Sequence, residues 1–391
     1  MILFALILFA VFYNILNFLF PTIFIGSTIY ALFTILFVIN LSYQVLIKKT
    51  NINVYVFILL IFSFTTIFLI TSVNIDTEYN IFPLFSQYFG LFIFFFFLHF
   101  SNLKLNRLFI QVLLFVLIAE VFIEFFIVNY FGLLDLMTHY DGSASRSMKF
   151  LIQSGVTVPV SGFSGNRTVS GILISSVYWF WRSFYPNSKY TTHVLIMTIL
   201  SILFTFSGGA ALVFLILHVT QFNKINKILL IIPVMIFIGS ISRGAWFGKI
   251  SFDYVLLMVE YKIDQIMQFL THFENDPGLI IYGTQSFSSK DFGILKMIGD
   301  TGFFTVLLYV FFLGILLRYT NKLFSNISLR HANFGIFTFF IGMFHYAPVF
   351  LVSGQFSLAL FLSILMFELK ESGVVQQKRA SLRWVLNLKK N

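Results

Sequence analysis

Residues 107–130 read RLFIQVLLFVLIAEVFIEFFIVNY, an arginine followed by an apolar run interrupted only by Gln111, Glu120, Glu124 and Asn129. Wound as a helix rising about 1.5 Å per residue, such a run covers the roughly 30 Å hydrocarbon core of a bilayer. Glu120 and Glu124 are four apart, so they share one face of that helix, in the half away from Arg107. Carboxylates at that depth are expensive and signal function by default. They pair with a cation such as Arg167 or Arg243, or they hold a proton.

The same pattern extends in both directions. Further apolar runs lie at 2–20, 22–46, 52–72, 82–100, 168–184, 190–206, 208–222, 226–241, 300–317, 332–350 and 353–368. Together they predict an all-α polytopic membrane protein of about twelve spans, one integral domain over 1–391. The composition requires lipid as solvent: 59% hydrophobic and 10% charged residues, with a mean hydropathy of +0.93. The 56 phenylalanines fit AT-rich codon usage acting on lipid-facing positions better than a binding site. The chain has no cysteine, which excludes disulfides and thiolate metal sites. Residues 1–20 lack a basic n-region and a small-residue cleavage site, so they are expected to be a retained first span.

Charge orients the runs. Lys48 and Lys49, Lys104 and Arg107, Arg182 and Lys189, Lys224 and Lys227, then Arg318, Lys322 and Arg330 occupy alternate connectors, and a basic tail over 370–391 follows the last run. All fall on one side, accompanied only by Glu368 and Glu371, if both termini are cytoplasmic. The tail adds Trp384, Val385 and Leu386 as an interfacial anchor beside an anionic leaflet. Runs 190–206 and 208–222 are short and separated by Ser207-Gly208-Gly209. Merging them would invert everything downstream, so two short helices are expected. The glycines either let helices pack closely or leave N–H groups free for an anion.

The remaining cations, from Arg146 to Lys296, lie on the opposite side, most of them in two long polar stretches at 131–166 and 242–296. Loops of that length between spans usually carry function. The first offers His139, Asp141, Arg146 and Lys149, then a Gly/Ser-rich approach to Arg167 at the mouth of a membrane helix. There an arginine needs a carboxylate, a carbonyl or a ligand phosphate. The second stretch begins with Arg243 between Ser242 and Gly244. Over 251–273 it then reads as an amphipathic helix, with Phe252, Val255, Leu256, Val259, Ile263, Ile266, Met267 and Leu270 forming an apolar stripe. That helix is expected either to rest on the outer leaflet or to cap a cavity. Asn275-Asp276-Pro277-Gly278 ends it.

His272 in its last turn is either a partner for the helix dipole or a base near an acceptor hydroxyl. Lys290, Asp291, Lys296 and Asp300 follow with the alternating signs of a solvated face, or of pairing with other helices. His345, alone in an apolar run, suits a helix–helix hydrogen bond or a polar substrate contact. No P-loop, HExxH motif, paired-Asp nucleotide signature or soluble nucleotide-binding domain occurs, so the chain does not run on ATP itself.

Three stretches, SGFSGNRTVSGILIS (161–175), LFTFSGGAALVFLIL (203–217) and SSKDFGILKMIGDTGFFTVLLYVF (288–311), resemble segments of the Wzy-type O-antigen and capsular polysaccharide polymerases and the related O-antigen ligases. The layout of spans and loops is similar over most of the chain. Two positions depart: Pro159 and Val160 stand where relatives often carry Arg, and Gly208 where many have Arg after the Ser.

The resemblance implies a multi-pass protein of the bacterial cytoplasmic membrane that transfers an undecaprenyl-pyrophosphate-linked glycan by inverting, metal-independent displacement, with no cofactor. Its partners would be the lipid-linked oligosaccharide, membrane lipids and a chain-length regulator protein, not nucleic acid. On that reading Arg167 and Arg243 hold the pyrophosphate and Arg146 or Lys290 supports them. His272, Asp291 or Glu124 serves as base, while Glu120 and His345 contact substrate. A lipid-linked oligosaccharide flippase remains the alternative of a different class, although it has little use for such long external loops. An O-antigen ligase is the alternative within the class.

Overall fold

The computed structural model describes residues 2–13, 81–100, 103–131, 160, 162, 167–205, 207–221, 252–275, 278, 283, 292–344 and 350–371. Those residues are helical with no strand. The helices are α1 (Ile2–Val11), α2 (Ile81–Phe100), α3 (Leu108–Phe131), α4 (Arg167–Phe184), α5 (Thr191–Phe204) and α6 (Gly208–Val219). They continue with α7 (Phe252–Asn275), α8 (Gly293–Thr301), α9 (Phe303–Leu323), α10 (Asn326–Ile341) with a 3-10 turn at Gly342–Phe344, and α11 (Val352–Glu371).

Three of them, α3, α9 and α11, are long and apolar enough to cross a membrane. The remaining predicted runs on described residues are also helical. The runs at 22–46, 52–72 and 226–241 lie outside the described residues. Boundaries moved at both ends of the runs expected at 300–317 and 332–350, with α9 continuing to Leu323 and α10 ending at Ile341. The run expected from 300 begins at Phe303, because Gly302 (φ +77°) ends α8 in a left-handed conformation. The run expected from 332 begins six residues earlier, after Ser325.

The fold centres on α4. Every residue of it except Arg167, Thr168 and Arg182 is buried. It packs against α3, α5, α6, α10 and α11. Acyl chains solvate leucine as well as a neighbouring helix does, so close packing and interhelical hydrogen bonds must hold such a helix. Both are present. Ser176 Oγ donates to the Gly335 carbonyl of α10 at 2.8 Å. Phe180 stacks on Phe361 of α11 with ring centroids 3.8 Å apart. Trp179 meets His331 and Phe334 of α10. Tyr185 and Pro186 follow α4 directly, and proline cannot continue a helix.

The antiparallel register of α4 and α10 defines two ends of the bundle. At one end, Phe184 meets Phe324, and Arg182 donates to the carbonyls of Tyr185 and Pro186 and to Thr191 Oγ1, tying down the start of α5. An Arg107–Glu368 ion pair, Nε to Oε1 at 3.9 Å, joins the α2–α3 connector to the last turn of α11. It is partly exposed and worth little energy. Among the described residues, the connector cations Lys104, Arg107, Arg182, Lys189, Lys322 and Arg330 thus lie toward one end.

The Ser207 turn divides two helices, as expected from parity. Both pack on α4, α5 with 14 residues and α6 with 12. The turn itself sits at the other end of the bundle, against the start of α4.

An added methyl tests the α4–α10 contact. A Cβ at Gly335 would lie 2.5 Å from ring atoms of Phe180 and 3.0 Å from the Ser176 carbonyl, whereas one at Gly314 of α9 meets nothing within 4 Å. Gly335→Ala should lower stability by about 1–3 kcal/mol through overpacking. Gly314→Ala should leave stability unchanged or slightly raised. Thermal unfolding of the two purified variants in one detergent compares them directly.

Candidate functional site

Glu120 and Glu124 of α3 are both buried, at 1% and 3% exposure. Nothing about an apolar helix requires them there, so their surroundings carry the meaning. A Cβ placed on Gly162 would lie 2.6 Å from Glu120 Oε1, 2.9 Å from Ser170 Oγ and 3.2 Å from Val121 Cγ2. The Gly162 backbone therefore lies directly on the carboxylate and on Ser170 in the first turn of α4. Gly162 has φ +59°, a conformation that side chains rarely adopt. Two residues earlier, the Val160 N–H donates to the Phe204 carbonyl at 3.1 Å, which satisfies an orphan acceptor at the end of α5.

The next wall is the α5–α6 turn. Gly171 of α4 meets it closely: a Cβ there would be 2.7 Å from Ala210 Cβ, 3.2 Å from Thr205 Oγ1 and 3.3 Å from Ser207 Cβ. The glycine that permits close packing is thus Gly171, not Gly209, whose Cβ position faces open space. Ser207 caps α6, its Oγ accepting from the Ala210 N–H at 3.3 Å. Phe204 closes the other side, stacked flat on Phe125 of α3 at 3.9 Å with Phe122 edge-on. Two of the three stretches that carry the family resemblance, 161–175 and 203–217, are therefore one structure in space.

Arg167 opens α4 and is half-buried. It lies one turn before Ser170 and Gly171, on the helix face that meets the Gly162 roof and the Ser207 turn. Glu120 sits beside the first turn of that helix, where the backbone dipole favours negative charge.

Of the residues expected to form a site, Glu120 lies here beside Gly162 and Ser170, Glu124 is buried one turn further along α3, and Arg167 opens α4. His272 is on α7, half-buried in its last turn. Among the described residues, α7 meets the bundle through Lys262, whose Nζ stands 5.4 Å from the ring centroid of Phe292 at the start of α8. Arg146, Arg243, Lys290, Asp291 and His345 lie outside the described residues. No group of three or more metal-ligating side chains occurs among those described.

The sequence left Asp300 between a solvated face and a helix pairing, and the structure shows pairing. Asp300 is buried and accepts from the Tyr88 hydroxyl of α2. The Tyr309 hydroxyl of α9 donates to the Tyr88 carbonyl at 2.8 Å. A Cβ on Gly283 would lie 2.7 Å from backbone atoms of Asp300 and Thr301. This node pins the third resembling stretch to α2. Its one sequence signal is the lone aspartate inside IGDTG, and a tyrosine two hundred residues away cannot be matched to it by spacing.

The Gly162 roof can be tested by a double-mutant cycle. Gly162→Ala should destabilise the protein, and Glu120→Ala, which removes the atom that the new methyl meets, should reduce that cost. An equal cost of Gly162→Ala in both backgrounds, read from unfolding midpoints, would show that the loop does not rest on the carboxylate.

No family model matches the chain, and neither a curated protein nor a solved structure does, so its function has to be read from these side chains and their chemistry.

Proposed function

We propose that the protein is a polysaccharide polymerase with both termini cytoplasmic and about twelve spans, working at the outer face of a bacterial cytoplasmic membrane. It transfers a glycan from undecaprenyl pyrophosphate onto the next lipid-linked repeat unit. The hydroxyl oxygen of the acceptor sugar attacks the anomeric carbon of the donor. The bond from that carbon to the pyrophosphate oxygen breaks with inversion. A protein base takes the hydroxyl proton, and undecaprenyl pyrophosphate leaves with the bonding electron pair.

The observation that supports this reading is Arg167 at the start of α4, whose first turns carry the Gly162 roof over buried Glu120 and meet the Ser207 turn, at the end of the bundle away from Arg107 and Glu368. A departing pyrophosphate gains negative charge, and guanidinium groups can neutralise it in place of a metal. Arg167 and Arg243 take that role, with Arg146 or Lys290 in support. Glu120 holds the frame of the cation site.

Glu124 is buried at 3% exposure, so a bulky acceptor sugar reaches His272 or Asp291 more readily. His272, half-exposed on α7, is the base candidate favoured among the described residues.

Replacing Arg167 or Arg243 by alanine should abolish long-chain polysaccharide while the protein still reaches the membrane. Gel profiles of surface polysaccharide should then show single repeat units. Full-length chains from both variants would remove these arginines from the mechanism.

A further inference from the structure

The 24 residues of α7 would extend to about 36 Å, long enough to span a bilayer. The helix is nevertheless not among those apolar enough to do so. Over 260–272 its surface divides into three sectors rather than two. Lys262, Gln265, Phe269 and His272, spaced at helical intervals, form the sector turned toward the protein, with Gln265 and Phe269 buried. Glu260, Asp264, Gln268 and Thr271 form an exposed polar sector. Between them, Ile263, Ile266, Met267 and Leu270 form an exposed apolar sector that none of the described residues covers. Met267 is 56% exposed and Ile263 52%.

The location of this uncovered stripe indicates its occupant. Lys262 places α7 beside Phe292, the residue that starts α8. Nine residues further on, α8 ends at Thr301, and α9 begins with Phe303 after the Gly302 cap. Phe303, Leu307, Val310 and Phe311 form an exposed apolar stripe at helical spacing on α9, the face that a membrane-crossing helix turns to acyl chains. The uncovered sector of α7 therefore lies at the rim of a lipid-facing belt, about one short helix away from its first residue. A helix with protein on one side, an apolar stripe on the next and carboxylates on the third has the surface of an interfacial helix. The acidic third sector points away from headgroup phosphates, so the seat needs no anionic lipid.

We infer that α7 lies flat in the phospholipid leaflet at this end of the bundle, with Ile263, Ile266, Met267 and Leu270 immersed among the acyl chains. Seated there, the helix fixes Lys262, Gln265 and His272 at headgroup height, facing the bundle. Only the role of His272 as base rests on the glycosyl-transfer reading. The seat itself stands on exposure and position.

The absence of cysteine makes a direct test simple. Met267→Cys, Leu270→Cys, Asp264→Cys and Gln268→Cys, each in the full chain, are labelled with an environment-sensitive fluorophore in phosphatidylcholine nanodiscs. Quencher-bearing acyl chains should quench the labels at 267 and 270 severalfold more than those at 264 and 268, and aqueous iodide should show the reverse order. Iodide reaching all four labels equally would overturn the seat. So would disulfide-linked dimers of Met267→Cys forming in place of lipid quenching, because a second copy would then cover the stripe. Neither readout involves polysaccharide, so loss of activity in Arg167→Ala and failure of the seat are separate results.

Discussion

In a bilayer, helices gain nothing by hiding leucine from lipid. A helix buried on every side must therefore be held by contacts that lipid cannot imitate. In this protein that helix is α4. The contacts are a serine hydroxyl on a glycine carbonyl, a phenylalanine stacked flat on another, and glycines at Gly171 and Gly335 where the neighbouring helices come closest. Because α4 cannot shift, its first turn cannot shift either. Arg167, the Gly162 roof and the Ser207 turn inherit their positions from packing that lies deep in the bundle.

The two ends of α4 have different electrostatic tasks. At its last turn, Arg182 donates through Nη1 to two carbonyls and a hydroxyl, so its charge stabilises connectors. At its first turn the buried carboxyl of Glu120 lies under Gly162 beside Ser170, at the end of the helix where the backbone dipole favours negative charge.

Much of this architecture was legible in the chain. Long apolar runs gave helices, the Ser207-Gly208-Gly209 break separated α5 from α6, and the stripe over 251–273 became α7, because each depends on neighbours close in sequence. What could not be read depends on distant partners. The pairing of Tyr88 with Asp300 joins residues from opposite halves of the chain. The resting of Gly162 on Glu120 needs the loop to fold back across a helix. The glycines of the α5–α6 turn drew attention as packing residues, yet the close approach uses Gly171 on the opposing helix. Proximity of that kind has no spacing to reveal it. The apolar stripe of α7 was legible as a stripe, but which of its neighbours was protein became clear only from the burial of Gln265 and Phe269.

The shortness of α5 and α6 has a consequence for the surrounding lipid. Their 14 and 12 residues reach about 21 and 18 Å, against a hydrocarbon thickness of about 30 Å. They also expose Ile196, Met197, Leu200, Leu212 and Ile216, so acyl chains touch this flank. With the start of α5 tied down by Arg182, the whole deficit falls at the Ser207 end. In a bilayer of that thickness, a leaflet that thins there would accommodate the deficit and bring its phosphates toward the mouth of α4. The bilayer itself thereby becomes a working part of the molecule: longer acyl chains would resist the dip and shorter ones would ease it.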